Sequence, residues 1–565
     1  MVNVKNLFGM AVMATALVGC SSNDNLAPDG KDNVGKAGEA YASFKINLPT
    51  TNGTRAVDSE TGTEFDGGTA AEYEVKNGTI LIFDNSGKFV ESAELGTMNP
   101  WTKDTDDNGV TTAAAVTVKL YNVKVGTSYK ALVLLNNNSK TTPKVTLPTT
   151  TDTYTSWSKD VDKANADRYV STDGIFMANA PKYEATKDPT TLVDLNSVYA
   201  SREQAQANPA TVVYVERGLA KVTMDDFAFN YPINAGTYKG DNVKIVNWQL
   251  DVTNKYTFPI HQADLKSEWS AVWSEPRFYD NTSSAFKRVY WGTDPNYSGT
   301  DNLTLTNCKK AFNMIGNGDV KGLPGTPQYC LENTFDLDNM KQGQTTRVVF
   351  KAVYTPKTFT TGETFYKVAN NTAIWKEAAL KQQILTLAIN AMKITDPDEQ
   401  SMYSVDLTKG SNISGKAGQH FVAAENIKFD PGESAKTSKV DDGVINEINE
   451  KLGLSEEDPT THKEKVGIST YLNGEAYYIA RIKHFNELTP WNPGEAYGSK
   501  NKEYLGRYGV LRNNWYSLSV HSISNLGYPE VPTVKPNLPD DENDQYINVE
   551  VKILDWAKRS QSIDL

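Results

Sequence analysis

Short runs of apolar residues recur along most of the chain, separated by residues that favour turns. These runs are 80–83, 115–120, 131–135, 212–215, 243–250, 347–354, 477–482, 516–523 and 547–553. Asn85-Ser86-Gly87 stands between 80–83 and 89–90, a spacing typical of a β-hairpin. Many short strands with turn signals predict antiparallel β-sandwiches, so we expect an all-β fold with minor helices.

Two segments depart from this pattern and predict helices. In the first, 374–392, apolar residues recur along one helical face. The second, 444–452, follows two aspartates and ends before Gly453, where a C-terminal cap belongs. We interpret both as helices that pack against the sheets.

A further strand-like segment precedes residue 50. Its apolar residues are Phe44, Ile46 and Leu48. Polar residues occupy the positions between them, so the segment has the alternation of a strand with one buried face.

The first 20 residues read as a bacterial lipoprotein signal. Lys5 supplies a positive charge, and 7–18 is an apolar stretch too short to span a membrane. Leu17-Val18-Gly19-Cys20 matches a lipobox, which predicts that Cys20 is acylated and that the precursor is held on the membrane by this anchor alone. The alternative is an ordinary secretory signal in which Cys20 has no special role.

The net charge argues against one class of function, and the cysteines raise the question of a disulfide. The 565 residues carry a net charge of −12, which disfavours nucleic-acid binding, since that requires a basic face. Besides Cys20, the chain has Cys308 and Cys330. In an oxidising envelope these two could form a disulfide. Two buried free thiols are the alternative.

Catalytic motifs are missing from the sequence. The five histidines lack metal-ligand spacing, and neither a phosphate loop nor a dinucleotide fingerprint occurs. Asp104-x-Asp106-x-Asn108-Gly109 resembles the start of a calcium loop, but Ala115 stands where the closing acid is expected. We therefore expect no catalytic residues, no metal site and no cofactor.

Four segments carry a resemblance to a known family. They are 215–222 (VERGLAKV), 329–334 (YCLENT), 508–516 (YGVLRNNWY) and the terminal Asp555-Trp556. They resemble the fimbrilin (type V pilin) family of Bacteroidales, and are closest to the major structural subunit of the short (minor) fimbriae. The resemblance implies two transthyretin-like antiparallel β-sandwiches. It also implies a lipidated precursor at the outer membrane, which is cut by an arginine-specific surface protease and then polymerises.

Arg55 is the position that matches the processing site of that family. It lies among small polar residues and is followed by Ala56, so a protease could reach it. Taken alone, an arginine in a polar stretch is an ordinary soluble residue. The upstream strand, the lipid anchor and the resemblance together predict cleavage between Arg55 and Ala56.

The two ends of the chain suggest how subunits would join. Loss of the strand around Phe44 would leave an apolar slot with unpaired backbone groups. The donor candidates share the same alternation and are Ile547, Val549, Val551 and Ile553. Burying four such side chains contributes roughly 6–12 kcal/mol. Because donor and slot are different surfaces, the contact propagates into a filament. Alternatively, 547–553 is the last strand of its own domain, and the exchanged segment lies in 556–565.

Composition shifts predict the domain organisation. A polar stretch, 201–210, precedes the strand that begins at 211, and a Pro-, Asp- and Asn-rich spacer covers 529–544. The expected segments are a signal peptide (1–19), a propeptide with the removable strand (20–55), an N-terminal β-sandwich (56–210), a C-terminal β-sandwich with insertions and spacer (211–544) and a C-terminal strand or donor segment (545–565).

The favoured hypothesis is a shaft subunit of a surface fimbria that mediates adhesion, biofilm formation and host-cell attachment. Its expected partners are further copies of the chain, anchor and tip fimbrial proteins, the arginine-specific protease, and receptors on host or bacterial surfaces. The alternatives are a tip or accessory adhesin subunit and a glycan-binding surface lipoprotein. The 10 Trp and 28 Tyr leave the last alternative open.

Overall fold

The computed structural model describes residues 38–49, 69–96, 102–103, 110–138, 143–160, 162–163, 166–171, 174–184, 187–263, 288–297, 304–334, 339–409, 418–456, 465–484, 505–540 and 547–555. Within them the chain forms mainly antiparallel β-sheets with a few short helices. The predicted all-β fold with minor helices is therefore confirmed.

The strands of the first part of the chain are β1 (Ala40–Pro49), β2 (Gly78–Phe83), β3 (Phe89–Glu94), β4 (Thr102–Lys103), β5 (Val110–Leu120), β6 (Tyr129–Leu135), β7 (Asp162–Lys163), β8 (Val170–Ser171), β9 (Gly174–Ile175), β10 (Met177–Asn179), β11 (Lys182–Glu184), β12 (Lys187–Thr190), β13 (Val193–Leu195) and β14 (Thr211–Arg217).

Those of the second part are β15 (Ala220–Met224), β16 (Tyr231–Pro232), β17 (Asn242–Asp251), β18 (Thr253–Asn254), β19 (Tyr256–Thr257), β20 (Phe312–Asn313), β21 (Gln328–Cys330), β22 (Arg347–Thr355), β23 (Phe365–Val368), β24 (Ile374–Lys376), β25 (Tyr403–Val405), β26 (Gln419–His420), β27 (Ile427–Phe429), β28 (Ile468–Tyr471), β29 (Glu475–Arg481), β30 (Asn514–Ile523) and β31 (Ile547–Asp555).

The α-helices are α1 (Ala70–Tyr73), α2 (Tyr154–Ser158), α3 (Ala166–Tyr169), α4 (Arg202–Ala207), α5 (Leu305–Ala311), α6 (Glu377–Ala391), α7 (Pro397–Gln400) and α8 (Asp442–Lys451). Short 3₁₀ turns cover Asn317–Asp319, Ala424–Asn426 and Leu472–Gly474. In the described part of the chain, no helix is long and apolar enough to cross a membrane.

The N-terminal sheet has the strand order β3-β2-β6-β10-β14-β1-β5-β4, and β13 also pairs with β6. The backbone N–H of Asn122, just beyond β5, donates to the carboxylate of Glu91 on β3 at 2.8 Å. Because β3 and β5 stand near opposite ends of the order, the sheet folds back on itself. Its inward face forms one hydrophobic core, to which β1, β2, β6 and β14 contribute.

The predicted hairpin between 80–83 and 89–90 is confirmed as β2 and β3. Asp84 organises its turn, because its carboxylate accepts bonds from the backbone N–H groups of Ser86 (2.8 Å) and Lys88 (3.0 Å). Gly87 takes a positive φ of 84° there, a conformation that glycine adopts without steric cost.

The C-terminal part is a sandwich of two four-stranded sheets. One has the order β21-β15-β30-β31 and the other β16-β17-β22-β29. The inward residues of both sheets form a second core, which includes Val222 on β15, Trp248 on β17, Phe350 on β22 and Tyr516 on β30.

Helices α6 and α8 pack with the sheet β24-β23-β28-β26 around a separate apolar cluster. The helix predicted at 444–452 is α8, capped by the Asp441 side chain, which accepts from Val444 N–H at 2.9 Å. The helix predicted from residue 374 begins at Glu377 instead. The first three residues of that prediction form β24, because they pair with β23.

The pairing of β14 bears on where the two sandwiches divide. This strand begins at Thr211 but pairs with β1 and β10 of the N-terminal sheet, whereas β15 pairs with β21 and β30. Gly218 lies between β14 and β15. A Cβ on it would lie 2.9 Å from Phe176 Cδ1, so the close approach requires glycine. The domain limits stay a prediction, and this pairing favours a boundary at Gly218 rather than after residue 210.

Cys308 and Cys330 do not form the suggested disulfide in this structure. Both are buried free thiols, which was the alternative expectation. Cys330 ends β21 in the core of the C-terminal sandwich, whereas Cys308 lies on α5 in a different apolar cluster. Burial raises the pKa of Cys308 to about 11 and that of Cys330 to about 12, which disfavours the reactive thiolate.

Candidate functional site

Several residues singled out in the sequence lie outside the described part of the chain. They are Cys20, Arg55, Ala56 and the calcium-like segment 104–109. Leu48 belongs to β1, but its side chain is also outside the described set. Their proposed roles stay predictions. Apart from Cys308 and Cys330, the other site residues fall on two strands, β1 and β31.

β1 is an inner strand of the N-terminal sheet. On one side it pairs antiparallel with β5, from Ala40 opposite Leu120 to Pro49 opposite Val110. On the other side it pairs in parallel with β14, with Phe44 opposite Thr211. A strand in this position satisfies backbone groups on both neighbours, so its removal would leave two unpaired edges facing each other.

The inward face of β1 forms part of the N-terminal core. The side chains of Phe44 and Ile46 are 0% exposed, as are Ala40 and Ala42. Lys45, between Phe44 and Ile46, is exposed. Burying Phe44 and Ile46 contributes roughly 3–6 kcal/mol. The period-two pattern read from the sequence therefore matches the burial of these residues.

β31 lies at the end of the strand order of its own sheet. It pairs antiparallel with β30, from Ile547 opposite Ile523 to Asp555 opposite Asn514. Ile547 is buried and Val549 packs against the same core. The side chains of the other two donor candidates, Val551 and Ile553, lie outside the described set. In the single chain, β31 is thus the last strand of its own sheet, as the alternative interpretation had it, and its role as a donor stays a prediction.

The three longer segments that carry the family resemblance meet between the two sandwiches. Segment 215–222 contains the β14–β15 junction, 329–334 follows from β21, and 508–516 leads into β30. The backbone N–H of Arg217 donates to the Asn513 side chain at 3.0 Å. The N–H of Asn513 in turn donates to the Leu219 carbonyl at 2.8 Å. These bonds connect the strand beside β1 with the strand beside β31.

A buried ion cluster surrounds Glu216 at the end of β14. His261 Nδ1 lies 2.7 Å from one carboxylate oxygen, and Arg288 donates to the other through Nε (3.0 Å) and Nη2 (2.8 Å). Burial would raise the pKa of Glu216, but the charges of His261 and Arg288 outweigh it and hold this pKa at about 2. Arg512 extends the cluster through its ion pair with Glu332.

A second cluster surrounds Glu72, within α1. Lys221 Nζ lies 2.8 Å from one of its carboxylate oxygens, and the Tyr329 hydroxyl donates to the same atom at 2.6 Å. Burial would raise the pKa of Glu72, but these partners and the Thr69 N–H lower it overall. Lys221 also lies 3.6 Å from the centre of the Trp515 ring.

Sequence reasoning did not single out these clusters. The available signal was that the acid and bases at 216, 217 and 221 interrupt an otherwise apolar strand pattern, which indicates buried, paired charges. His261, which the search for metal ligands considered, serves as a partner of Glu216 instead. Within the described ranges, no group of acidic, histidine or cysteine side chains could hold a metal ion.

A groove of about 690 Å³ lies on the outer side of the sheet, next to β1. Ser43 on β1 and Val212 on β14 form part of its wall. Tyr199, Pro209 and Ala210, in the connection between β13 and β14, form another part. The groove is therefore on the opposite side of β1 from the hydrophobic core.

Comparison with known proteins supports a fimbrial role. Residues 469–562 match the model for the C-terminal region of the major fimbrial subunit protein type IV, fimbrillin. The match covers well under half of the chain and contains the 508–516 segment together with β29, β30 and β31. It supports a fimbrial subunit of the fimbrillin type, and thus a structural protein of the cell surface.

Among solved structures, a fimbrial assembly protein from Parabacteroides distasonis ATCC 8503 is similar to this chain at 12% sequence identity. The similarity covers 57% of this chain and 88% of that chain, with a TM-score of 0.27. No curated protein matches the chain.

The burial of Phe44 leads to a prediction about the uncleaved chain. Replacing Phe44 with alanine should lower the free energy of unfolding by about 3–5 kcal/mol, because a cavity replaces a fully buried ring. Lys45→Ala, on the exposed face of the same strand, is the matched control and should change little. Urea unfolding followed by tryptophan fluorescence measures both. Equal effects of the two substitutions would contradict the burial of this face.

The Glu216 cluster predicts a specific dependence of stability on acid. The folded-state pKa of Glu216 is about 2 and its ordinary value is 4.5, so its stabilising contribution is present above pH 4.5 and is lost as pH falls towards 2. The loss should amount to roughly 3 kcal/mol. Glu216→Gln should be less stable at neutral pH and should lose less than the unsubstituted chain between pH 4.5 and 2. Glu363→Gln, at a solvent-exposed ion pair, should retain most of the acid loss, because solvent screening keeps the contribution of that pair small.

Proposed function

We propose that this chain is a shaft subunit of a cell-surface fimbria, most similar to the major structural subunit of the short (minor) fimbriae of Bacteroidales. The precursor is exported as a lipoprotein acylated at Cys20 and reaches the outer membrane. An arginine-specific surface protease cuts it between Arg55 and Ala56. The trimmed subunits then polymerise by donor-strand exchange into fibres that mediate adhesion, biofilm formation and host-cell attachment.

One observation carries this proposal: an inner strand of the sheet comes from the segment before the proposed cut. β1 ends at Pro49, and Arg55 follows a few residues later in the chain. Cleavage there separates β1 from the rest of the chain while leaving β5 and β14 in place. The strand is then held only by noncovalent contacts and can be replaced.

The replacing strand comes from a second copy of the chain. β31 has the apolar alternation that the slot requires. As the last strand in the order of its sheet, it is hydrogen-bonded to β30 along one edge, so its release breaks one row of backbone hydrogen bonds. If β31 stays on β30, residues 556–565 supply the exchanged segment instead. Either donor is a different surface from the slot, so each added subunit presents a new donor and growth continues in one direction.

The remaining partners follow from this assembly. Anchor and tip fimbrial proteins terminate the two ends of the fibre, and receptors on host or bacterial surfaces bind the assembled shaft. The lipid at Cys20 is lost with the propeptide, so the membrane holds only the precursor. The role is structural, without a catalytic residue or a cofactor.

Cleavage after Arg55 should be the event that permits polymerisation. Treatment of the purified precursor with an arginine-specific protease should yield SDS-resistant ladders whose subunits begin at Ala56. Arg55→Ala should abolish the ladders. An Arg55→Ala chain with a recognition site for an unrelated protease at 51–56 should recover them when that protease is added. A tip subunit or a glycan-binding lipoprotein would only become shorter, without forming ladders.

Two truncations should identify the donor segment. Removal of 545–565 should prevent polymerisation of cleaved chains, because neither candidate donor remains. Removal of 556–565 alone should leave polymerisation intact if β31 is the donor and abolish it if the tail is. Electron microscopy and SDS gels of cleaved material measure fibre yield. Undiminished fibres from chains lacking 545–565 would refute exchange through the C-terminus.

A further inference from the structure

The connection between β13 and β14, residues 196–210, crosses the outer face of β1, and we call it the crossover strap. β13 pairs with β6 before the strap begins, and β14 pairs with β1 after it ends. In between, Tyr199 exchanges two backbone hydrogen bonds with Tyr41 of β1, both 2.8 Å long. Helix α4, within the strap, lies against both β1 and β5.

Arg202, the first residue of α4, joins the strap to both strands below it. Its Nη1 donates to the carbonyl of Thr117 on β5 at 3.1 Å. Its guanidinium carbon lies 5.7 Å from the centre of the Tyr41 ring on β1, within cation–π range. Tyr41 alternates with the buried Ala40 and Ala42, so this contact is on the outer face of the strand.

The rest of the strap is arranged to hold Arg202 in place. The Ser201 side chain caps α4 by accepting from the Gln204 N–H at 3.2 Å. Ala205 is 0% exposed, although the residues on either side of it are exposed. The helix is therefore seated on the sheet through one small residue, and an exposed arginine reaches across to β5.

The first half of β1 is consequently enclosed on four sides. β5 flanks one edge, and Tyr199 and then β14 flank the other. The core lies beneath it and α4 lies above it. The groove of about 690 Å³ lies between the ends of the strap and the outer faces of β1 and β14.

We propose that the crossover strap is a gate over the β1 slot and that Arg202 is its latch. For β1 to leave the sheet through its outer face, or for another strand to enter there, the strap must lift, and the contacts of Arg202 with Thr117 and Tyr41 must break. The latch therefore slows strand release after cleavage and slows strand capture. This inference rests on the proposed function, because it concerns exchange at the same slot.

The test measures strand release separately from polymerisation. Full-length chains are cleaved at Arg55 at high dilution, where capture by another copy is slow, and release of the fragment containing β1 is followed by size exclusion and mass spectrometry. A synthetic peptide spanning 545–565 is added in excess to occupy emptied slots. Arg202→Ala should release the fragment roughly three- to tenfold faster, the range expected for loss of one exposed hydrogen bond and one cation–π contact.

Two further variants make the test specific. Tyr41→Leu removes the ring contact alone and should accelerate release by a smaller factor, which keeps the proposal testable if Arg202→Ala folds poorly. Gln206→Ala, at an exposed position of the same helix, should release the fragment at the unsubstituted rate. Equal rates for Arg202→Ala, Tyr41→Leu and Gln206→Ala would overturn the latch while leaving strand exchange intact. Retention of the fragment in every variant would overturn the proposed function together with the latch.

Discussion

The N-terminal sheet depends on β1 being paired on both edges while its inner face fills the core. An edge strand can be lost at the cost of one row of hydrogen bonds, because its neighbour then faces water. Loss of an inner strand leaves two rows of backbone groups and an apolar trough, in a space that water fills poorly. Phe44 and Ile46 make the trough large enough to matter energetically. The sheet therefore requires a strand in this place, but that strand need not belong to the same chain.

The slot and the C-terminal strand are connected through a short path of strands. β14 forms one wall of the slot, continues through Gly218 into β15, and β15 pairs with β30, on which β31 lies. The Glu216 and Glu72 clusters both lie at this junction, since Glu216 is on β14 and Lys221, the partner of Glu72, is on β15. Buried ion pairs contribute less to stability than their number suggests, since desolvation offsets much of the attraction. Their geometry fixes the junction, however, because a displaced partner would leave a buried charge uncompensated. Under the proposed function, this junction transmits force along the fibre from the slot of a subunit to its C-terminal strand.

The sequence allowed the strands to be predicted wherever one face is buried, since period-two alternation follows from the pleat. This is why β1 and β31 could be anticipated. β2 is buried on both faces, and its hairpin with β3 was predicted from the turn residues between them. Ile374–Lys376 could not be separated from the helix that follows, because pairing with β23 decides its conformation and pairing partners are not visible in one segment. The contacts of Glu216 with His261 and Arg288 join residues far apart in the chain, so they could not be predicted from the spacing of neighbouring residues. The strap over β1 was invisible for the same reason, since 201–210 reads only as a polar connection.

The free-energy difference that would drive β31 from its own sheet into the slot of another copy depends on how many of its edges are hydrogen-bonded in each place. On β30, β31 is bonded along one side, whereas the strand in the slot is bonded along two. Each additional backbone hydrogen bond contributes about 1 kcal/mol net, so transfer from an end position to an inner one is favourable if the side chains fit. Withdrawal of Ile547 from its core offsets roughly 1.5–3 kcal/mol of that gain. While β1 occupies the slot, the second set of bonds is not available, and the transfer has no driving force. Under the proposed function, removal of β1 therefore determines when assembly proceeds, and the alternation shared by the two strands determines that it proceeds between copies of the same chain.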